Sequence, residues 1–176
     1  MTLRRFNLPS DQRGAAVIEL ALAAPLLALM TIGIVDMSNA FSRKLAIEQG
    51  AQRAIEKIMQ TTELTTVEGT LKNEAVCQVN GTNADGTCKT SLITTSNVTV
   101  TFRLECTDGA GTIATQTSTD ATAFDAFTCA SGTTKEARYI EVAINDKFEP
   151  MFPVHFGGID GDGTYHISTT AGIRTQ

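Results

Sequence analysis

The sequence predicts an α+β protein in which a long N-terminal transmembrane helix continues into a stem. The stem packs on a small antiparallel sheet of three to four strands with disulfide-bonded loops. Three observations support this prediction: an apolar run over residues 15–35, four cysteines that all follow that run, and alternating apolar residues over 97–105. The chain has 176 residues, which suits one domain plus an anchor better than two full domains.

The apolar run is long enough to cross a membrane. Residues 15–35 contain a single ionisable side chain, Glu19, and at a rise of about 1.5 Å each they cover a hydrocarbon layer of about 30 Å. Residues 1–14 carry three arginines, and this charge bias places the N-terminus in the cytoplasm. Arg43 and Lys44 follow the span and weaken the bias.

The segment after the span, residues 36–60, is predicted to extend the same helix as a stem. It contains no proline, and its apolar residues recur at helical spacing with charged residues between them. The apolar stripe predicted in this way consists of Phe41, Leu45, Ala51, Ile55, Ile58 and Met59. Burial against the protein's own sheet is expected for its C-terminal half, whereas Pro25 and Gly33 allow a bend within the span.

The cysteines predict two disulfides. Cys77, Cys88, Cys106 and Cys129 all lie on the C-terminal side of the span, and an even number of cysteines in an exported region is typical of a disulfide framework. Three pairings are possible. We favour Cys77–Cys88 and Cys106–Cys129, because each pair closes a loop rich in Gly, Asp and Thr. This placement also puts residues 61–176 outside the cytoplasm. No CxxC pair is present, which disfavours zinc.

Residues 61–176 are predicted to form a small α+β domain. Thr65 and Glu68 form a capping-box pattern that opens a short helix to about Val76. Residues 78–91 are expected to form a turn-rich loop, and residues 107–134 a variable loop with room for a short strand. The three predicted strands are 97–105, with Val98, Val100, Phe102 and Leu104 on one face, 137–145 and 164–174.

Composition and motifs argue against several classes of function. The net charge of −5 and the pI of about 5.0 disfavour nucleic-acid binding, which needs a basic surface. Asp160 to Gly163 match a fragment of a calcium loop but lack its downstream glutamate. His155 and His166 have no carboxylate at ligand spacing. No catalytic constellation is found, so neither an enzyme nor a cofactor is predicted.

The N-terminal segment resembles the class III signal of type IV pilins. A basic leader ends in Gly14, an apolar helix follows, and Glu19 is the fifth residue after the glycine. The resemblance implies that a prepilin peptidase cuts between Gly14 and Ala15. It also implies that Glu19 pairs with the new N-terminal amine in an assembled filament, where each charge neutralises the other in a low-dielectric helix bundle.

A longer pattern resembles the TadE-like anchor of tight-adherence (Flp-type) pilus proteins. It covers about 30 residues and comprises Arg13, Gly14, Glu19, Ala21, Pro25, Gly33 and Asp36. Major pilins of this type are far shorter and carry Glu-Tyr where this chain has Glu19-Leu20. The resemblance therefore implies a minor pseudopilin of the inner membrane. Its implied partners are other pilin and pseudopilin subunits, the prepilin peptidase, the assembly platform and the lipid bilayer.

Two alternatives remain open. The helix could be a plain, uncleaved single-pass anchor that carries an extracytoplasmic binding or adhesive module. It could also be a cleaved secretory signal with an exit site at Ser38–Ala40, although the apolar run is longer than the core of such signals.

Overall fold

The structure, a computed structural model, describes residues 12–60, 68–152 and 160–175. The helices are α1 (Gln12–Gln60), α2 (Glu68–Asn80) and α3 (Ala121–Asp125), and the strands are β1 (Val98–Asp108), β2 (Ile113–Ser118), β3 (Thr133–Phe148) and β4 (Tyr165–Arg174). The strands form one antiparallel sheet in the order β2-β1-β3-β4. This arrangement confirms the predicted α+β class and fixes the number of strands in the sheet at four.

Helix α1 confirms the predicted continuous rod. It has 49 residues, which corresponds to a length of about 74 Å, and it runs through Pro25 without interruption. Its C-terminal half packs against α2, β3 and β4. Its buried apolar residues are Ala40, Ile47, Ala51, Ala54, Ile55 and Ile58.

The predicted apolar stripe of the stem is only partly correct. Ala51, Ile55 and Ile58 are buried as expected, but Phe41, Leu45 and Met59 are about 60% exposed. The sheet and α2 cover a neighbouring stripe of α1 that contains several small residues. Small side chains allow the backbones of packed elements to approach closely, which a ranking by hydrophobicity alone does not reveal.

The core lies between the two long helices and one face of the sheet. The predicted alternation of β1 is confirmed, because Val98, Val100, Phe102 and Leu104 are all at most 3% exposed. Their partners on β3 include Ile140, Val142 and Ile144. The opposite face carries polar residues, with Arg103 paired to Glu105 and Glu141. Helices therefore cover one face of the sheet, and solvent covers the other.

Helix α2 is longer than predicted. It continues to Asn80, so residues 78–80 belong to the helix and not to the loop; the predicted capping residues Thr65 to Val67 lie outside the described residues. Asn80 is the last residue of the helix, and its buried side chain makes four hydrogen bonds to the backbone of the following loop. Its amide donates to the carbonyls of Lys89 and Ile93, and its oxygen accepts from the backbone of Leu92 and Ile93. These bonds fix the loop that follows.

Both favoured disulfides are present: Cys77–Cys88 joins α2 to the next loop, and Cys106–Cys129 joins β1 to the segment before β3. The latter segment contains the anticipated short strand, β2, and one helix that was not predicted, α3. Asp120 caps α3 by accepting from the backbone of Thr122 and Ala123. The short helix places Phe124 against Phe102, with ring centroids 5.5 Å apart.

Gly50 of α1 lies where α2 and β3 leave no room for a side chain. A Cβ atom there would lie 2.5 Å from Cγ2 of Val79 and 3.0 Å from the carbonyl oxygen of Ala75. We expect Gly50→Val to destabilise the fold by about 2 kcal/mol through overpacking and to lower the Tm by about 4–8 °C. Thermal unfolding of the full chain in detergent, followed by circular dichroism, measures this shift.

Gly69 provides the matched control, because it also lies in a helix but has no atom within 4 Å of the corresponding position. We expect Gly69→Val to change stability by no more than about 0.5 kcal/mol. Equal losses in the two variants would contradict the close packing at Gly50.

Candidate functional site

The first half of α1 presents apolar side chains on every side. Its large apolar residues between Val17 and Val35 are 41–74% exposed, except Ile32, which is partly buried. Of the helices in the described part of the chain, α1 alone is long and apolar enough to cross a membrane, and none of its apolar window is buried within the protein. A helix of a soluble domain normally buries one apolar stripe and exposes a polar one. This segment therefore needs an apolar environment that the described part of the chain does not supply.

The residues singled out for processing and assembly all lie in this exposed segment. Gly14 and Ala15 belong to the first turns of α1, and Gly14 has open space around it. Glu19 is exposed and lies about 7.5 Å further along the helix axis. Pro25 is within the helix. The structure thus places these residues on one accessible stretch of helix.

Asp36 marks the change from the exposed to the packed half of α1. It is 2% exposed, and its carboxylate accepts hydrogen bonds from the backbone N–H groups of Met151 at 3.0 Å and Phe152 at 3.3 Å. Asn39 adds a contact from its amide to the sulfur of Met151 at 3.5 Å. These bonds hold the connection after β3 against the helix directly beyond residue 35. The sequence pattern includes Asp36, but this role was not predicted.

Arg43 makes a second polar contact between the helix and the domain, two turns beyond Asp36. Its Nε lies 2.5 Å from Oδ2 of Asp146, and its Nη2 donates to the carbonyl of Leu92 at 2.7 Å. The two charged side chains are only 12% and 7% exposed. Neither residue was singled out for this contact, because the partners are 103 positions apart in the chain.

The calcium-loop fragment at Asp160 to Gly163 forms a turn in which the protein's own side chains bind the Asp162 carboxylate. Asp162 contacts the ammonium of Lys147 at 2.7 Å and Nε2 of His166 at 2.9 Å, and it accepts from the hydroxyl of Thr164. These bonds, that from Lys147 above all, hold the pKa of the Asp162 carboxyl well below its usual range. Among the described residues no cluster of three or more His, Cys, Asp or Glu could hold a metal ion, and His155 lies outside them.

The buried pair of Arg43 and Asp146 yields a prediction about stability. We expect Arg43→Met to cost about 3 kcal/mol, because it leaves the Asp146 carboxylate buried without a partner. The double variant Arg43→Met with Asp146→Leu should recover much of this loss. Urea unfolding of the full chain in detergent measures both values.

Arg53 is the control for this prediction. It also pairs with a glutamate, Glu74, but its side chain is 41% exposed. We expect Arg53→Met to cost less than about 1 kcal/mol. The account of the junction is wrong if the Arg43 and Arg53 variants lose the same stability.

Comparison with protein families places the exposed half of α1 and part of its packed half in one known pattern. The family model described as TadE-like protein matches residues 14–55. Comparisons with curated proteins and with solved structures find no match. The matched segment begins at Gly14, includes Glu19 and Asp36, and ends within the core-forming part of the helix. The match confirms the resemblance drawn from the sequence and shows that residues 14–55 of this chain form a TadE-like segment.

Proposed function

We propose that this protein is a minor pseudopilin or pilus-assembly protein that acts structurally in the biogenesis of a tight-adherence (type IVc-like) pilus. In this proposal residues 1–14 are a cytoplasmic leader removed after Gly14, and residues 15–35 cross the inner membrane. Residues 36–60 form a helical stem, and residues 61–176 form a periplasmic domain. The chain is a single-pass protein whose N-terminal helix is the element that joins other subunits.

One observation carries the proposal: a TadE-like helix that is bare of contacts from its own domain up to the residues just before Asp36. An apolar helix exposed on all sides is stable either in lipid or among other apolar helices. A subunit that passes from the membrane into a helical bundle uses both surroundings in turn. Among the described residues, burial of α1 begins only at Ile32 and Gly33, so most of the span has no contact with the domain that this transfer would break.

Glu19 has a specific role in this proposal. A single carboxylate in the hydrocarbon region costs several kcal/mol, and this cost is reduced where a cation lies next to it. Cleavage after Gly14 creates an ammonium group on Ala15, one helical turn away along the chain. In a bundle of such helices the amine of one subunit can neutralise Glu19 of another, which would set the axial offset between subunits.

Two features support the proposed orientation. The three arginines of residues 1–14 favour a cytoplasmic N-terminus. Both disulfides lie in the domain that follows the helix, and disulfides form and persist in the oxidising periplasm.

The helix also continues through the alternative exit site at Ser38–Ala40, where Ala40 is buried. Cleavage there would remove Asp36 and its bonds to the connection after β3.

The implied partners follow from the same elements. Other pilin and pseudopilin subunits, the prepilin peptidase and the inner-membrane assembly platform would meet the N-terminal helix, and the bilayer would surround it before assembly. The domain's acidic net charge does not suit nucleic acid. TadE-like proteins are structural pilus components, so we propose no catalytic activity and no cofactor for this chain.

The alternative function is a binding or adhesive module on an uncleaved anchor. Substitution of Glu19 distinguishes this alternative from the pseudopilin, because only the pseudopilin needs the carboxylate for assembly. We expect Glu19→Ala and Glu19→Gln to abolish pilus assembly while the protein remains in the membrane at its normal amount, because neither side chain neutralises an amine. Counting of surface pili and immunoblotting of membrane fractions measure the two effects.

Leu20→Ala is the matched control, since it truncates the adjacent exposed side chain without changing charge. We expect it to retain most pili. Normal pilus numbers in the Glu19 variants would contradict the pseudopilin assignment and favour the plain anchor.

A further inference from the structure

We propose that the domain rests on the phospholipid surface through exposed apolar side chains at its base, Met37 and Phe41 on α1 and Met151 in the connection after β3, which together we call the membrane-facing patch. The inference rests on the proposed membrane anchoring and goes beyond it. It assigns the lipid interface as the binding partner of residues in the folded domain, in addition to the helix that spans the bilayer.

The depth of Met151 follows from its bond to Asp36. Residue 36 comes directly after the proposed span, and the backbone N–H of Met151 is 3.0 Å from the Asp36 carboxylate. Met151 therefore lies at the level where the hydrocarbon ends. The polar headgroup region extends about 5–7 Å further on each side, so the side chain of Met151 falls within the interfacial layer although it is 115 residues away in the chain.

The exposure of the patch shows that the domain itself does not cover it. Met151 is 70% exposed, Phe41 60% and Met37 45%. Met37 and Phe41 line a cleft between α1 and the start of β4, together with Tyr165 and Ile167. Met37 and Phe41 thus form one exposed apolar surface, of the kind that typically marks a site that binds a partner or a membrane. Met151 lies on another side of α1, beside Asp36 and Asn39.

The direction of the side chains extends their reach toward the membrane. On a helix the Cα–Cβ bonds tilt toward the N-terminus, which is the membrane side of α1 in this proposal. Phe41, about 9 Å along the axis from residue 35, thus points back toward the headgroups. Lys44 lies in the same cleft, with half of its side chain exposed, and a lysine can place its ammonium near lipid phosphates while its stem covers apolar surface.

Continuity decides between lipid and a protein partner. On α1 the patch begins at Met37, two residues beyond the apolar segment 15–35. Lipid that surrounds that segment must meet the patch wherever the helix is inserted. A soluble protein partner would instead have to displace the headgroups at this level to reach Met151.

The absence of tryptophan from the sequence allows a direct test. Single-tryptophan variants of the full chain are reconstituted in phosphatidylethanolamine–phosphatidylglycerol vesicles that contain phospholipids brominated either near the headgroup or deep in the acyl chain. Met151→Trp probes the patch. Leu27→Trp probes the span, and Ile113→Trp probes β2; these two native side chains are each 58% exposed, so they differ in location and not in accessibility.

We expect the emission of the Met151→Trp variant to shift to shorter wavelength and to be quenched at least twofold, more strongly by the shallow bromines than by the deep ones. The Leu27→Trp variant should be quenched most by the deep bromines. The Ile113→Trp variant should emit as in water and remain unquenched. Phe41→Trp, which exchanges one exposed aromatic side chain for another, provides a second probe and should also respond to the shallow bromines.

The outcomes separate this inference from the proposed function. Quenching at position 27 with none at positions 151 and 41 would overturn the seated patch and leave the anchor intact. A blue-shifted but unquenched signal at positions 151 and 41 would show that protein covers the patch, which also overturns the inference. Absence of quenching at position 27 would contradict membrane anchoring itself, and the inference with it.

Discussion

The hydrogen bonds from Met151 and Phe152 to the carboxylate of Asp36 join two parts of the molecule that have opposite requirements. Up to about residue 31, the α1 side chains that the structure describes are exposed and almost all apolar. Beyond Asp36 the same helix supplies part of a protein core. Hydrogen bonds from two backbone N–H groups to one buried carboxylate have a defined geometry. They therefore fix where along α1 the connection after β3 is held, and this is also where the packed half of the helix begins.

The packed half of α1 is an integral part of the domain. Ile47, Ala51 and Ile55 cover the face of the sheet that carries Val100 and Val142, and Gly50 allows α2 to approach closely. The buried pair of Arg43 and Asp146 adds orientation to this apolar contact. The N-terminal helix and the domain are therefore joined through a packed core and a buried ion pair. That property suits a subunit whose helix is moved from a membrane into an assembly.

The sequence predicts what depends on local pattern. The alternation of β1, the length of α1 and the cysteine pairing were predicted correctly, because each follows from spacing within a short segment. The buried stripe of the stem was partly wrong at Phe41 and Leu45, since helical periodicity alone does not show which side the sheet will cover. The roles of Asp36 and Arg43 depend on partners more than 100 residues away. Strand β3 is longer than predicted. Its polar N-terminal end is paired with β1 and its C-terminal end with β4, and this pairing does not depend on apolar alternation.

In the candidate site, the sequence predicts which residues act, and the structure shows that they are accessible. Gly14, Glu19 and Pro25 lie on one exposed stretch of helix, and the TadE-like match includes them.

The most direct test of the proposed processing is the intact mass of the chain recovered from carbonate-washed membranes of cells with an active prepilin peptidase. The account predicts a disulfide-bonded chain that begins at Ala15, for which the loss of three arginines and one aspartate changes the net charge from −5 to −5 − (3 − 1) = −7. A membrane-bound chain that retains Met1, or a soluble chain that begins after Ala40, would contradict it.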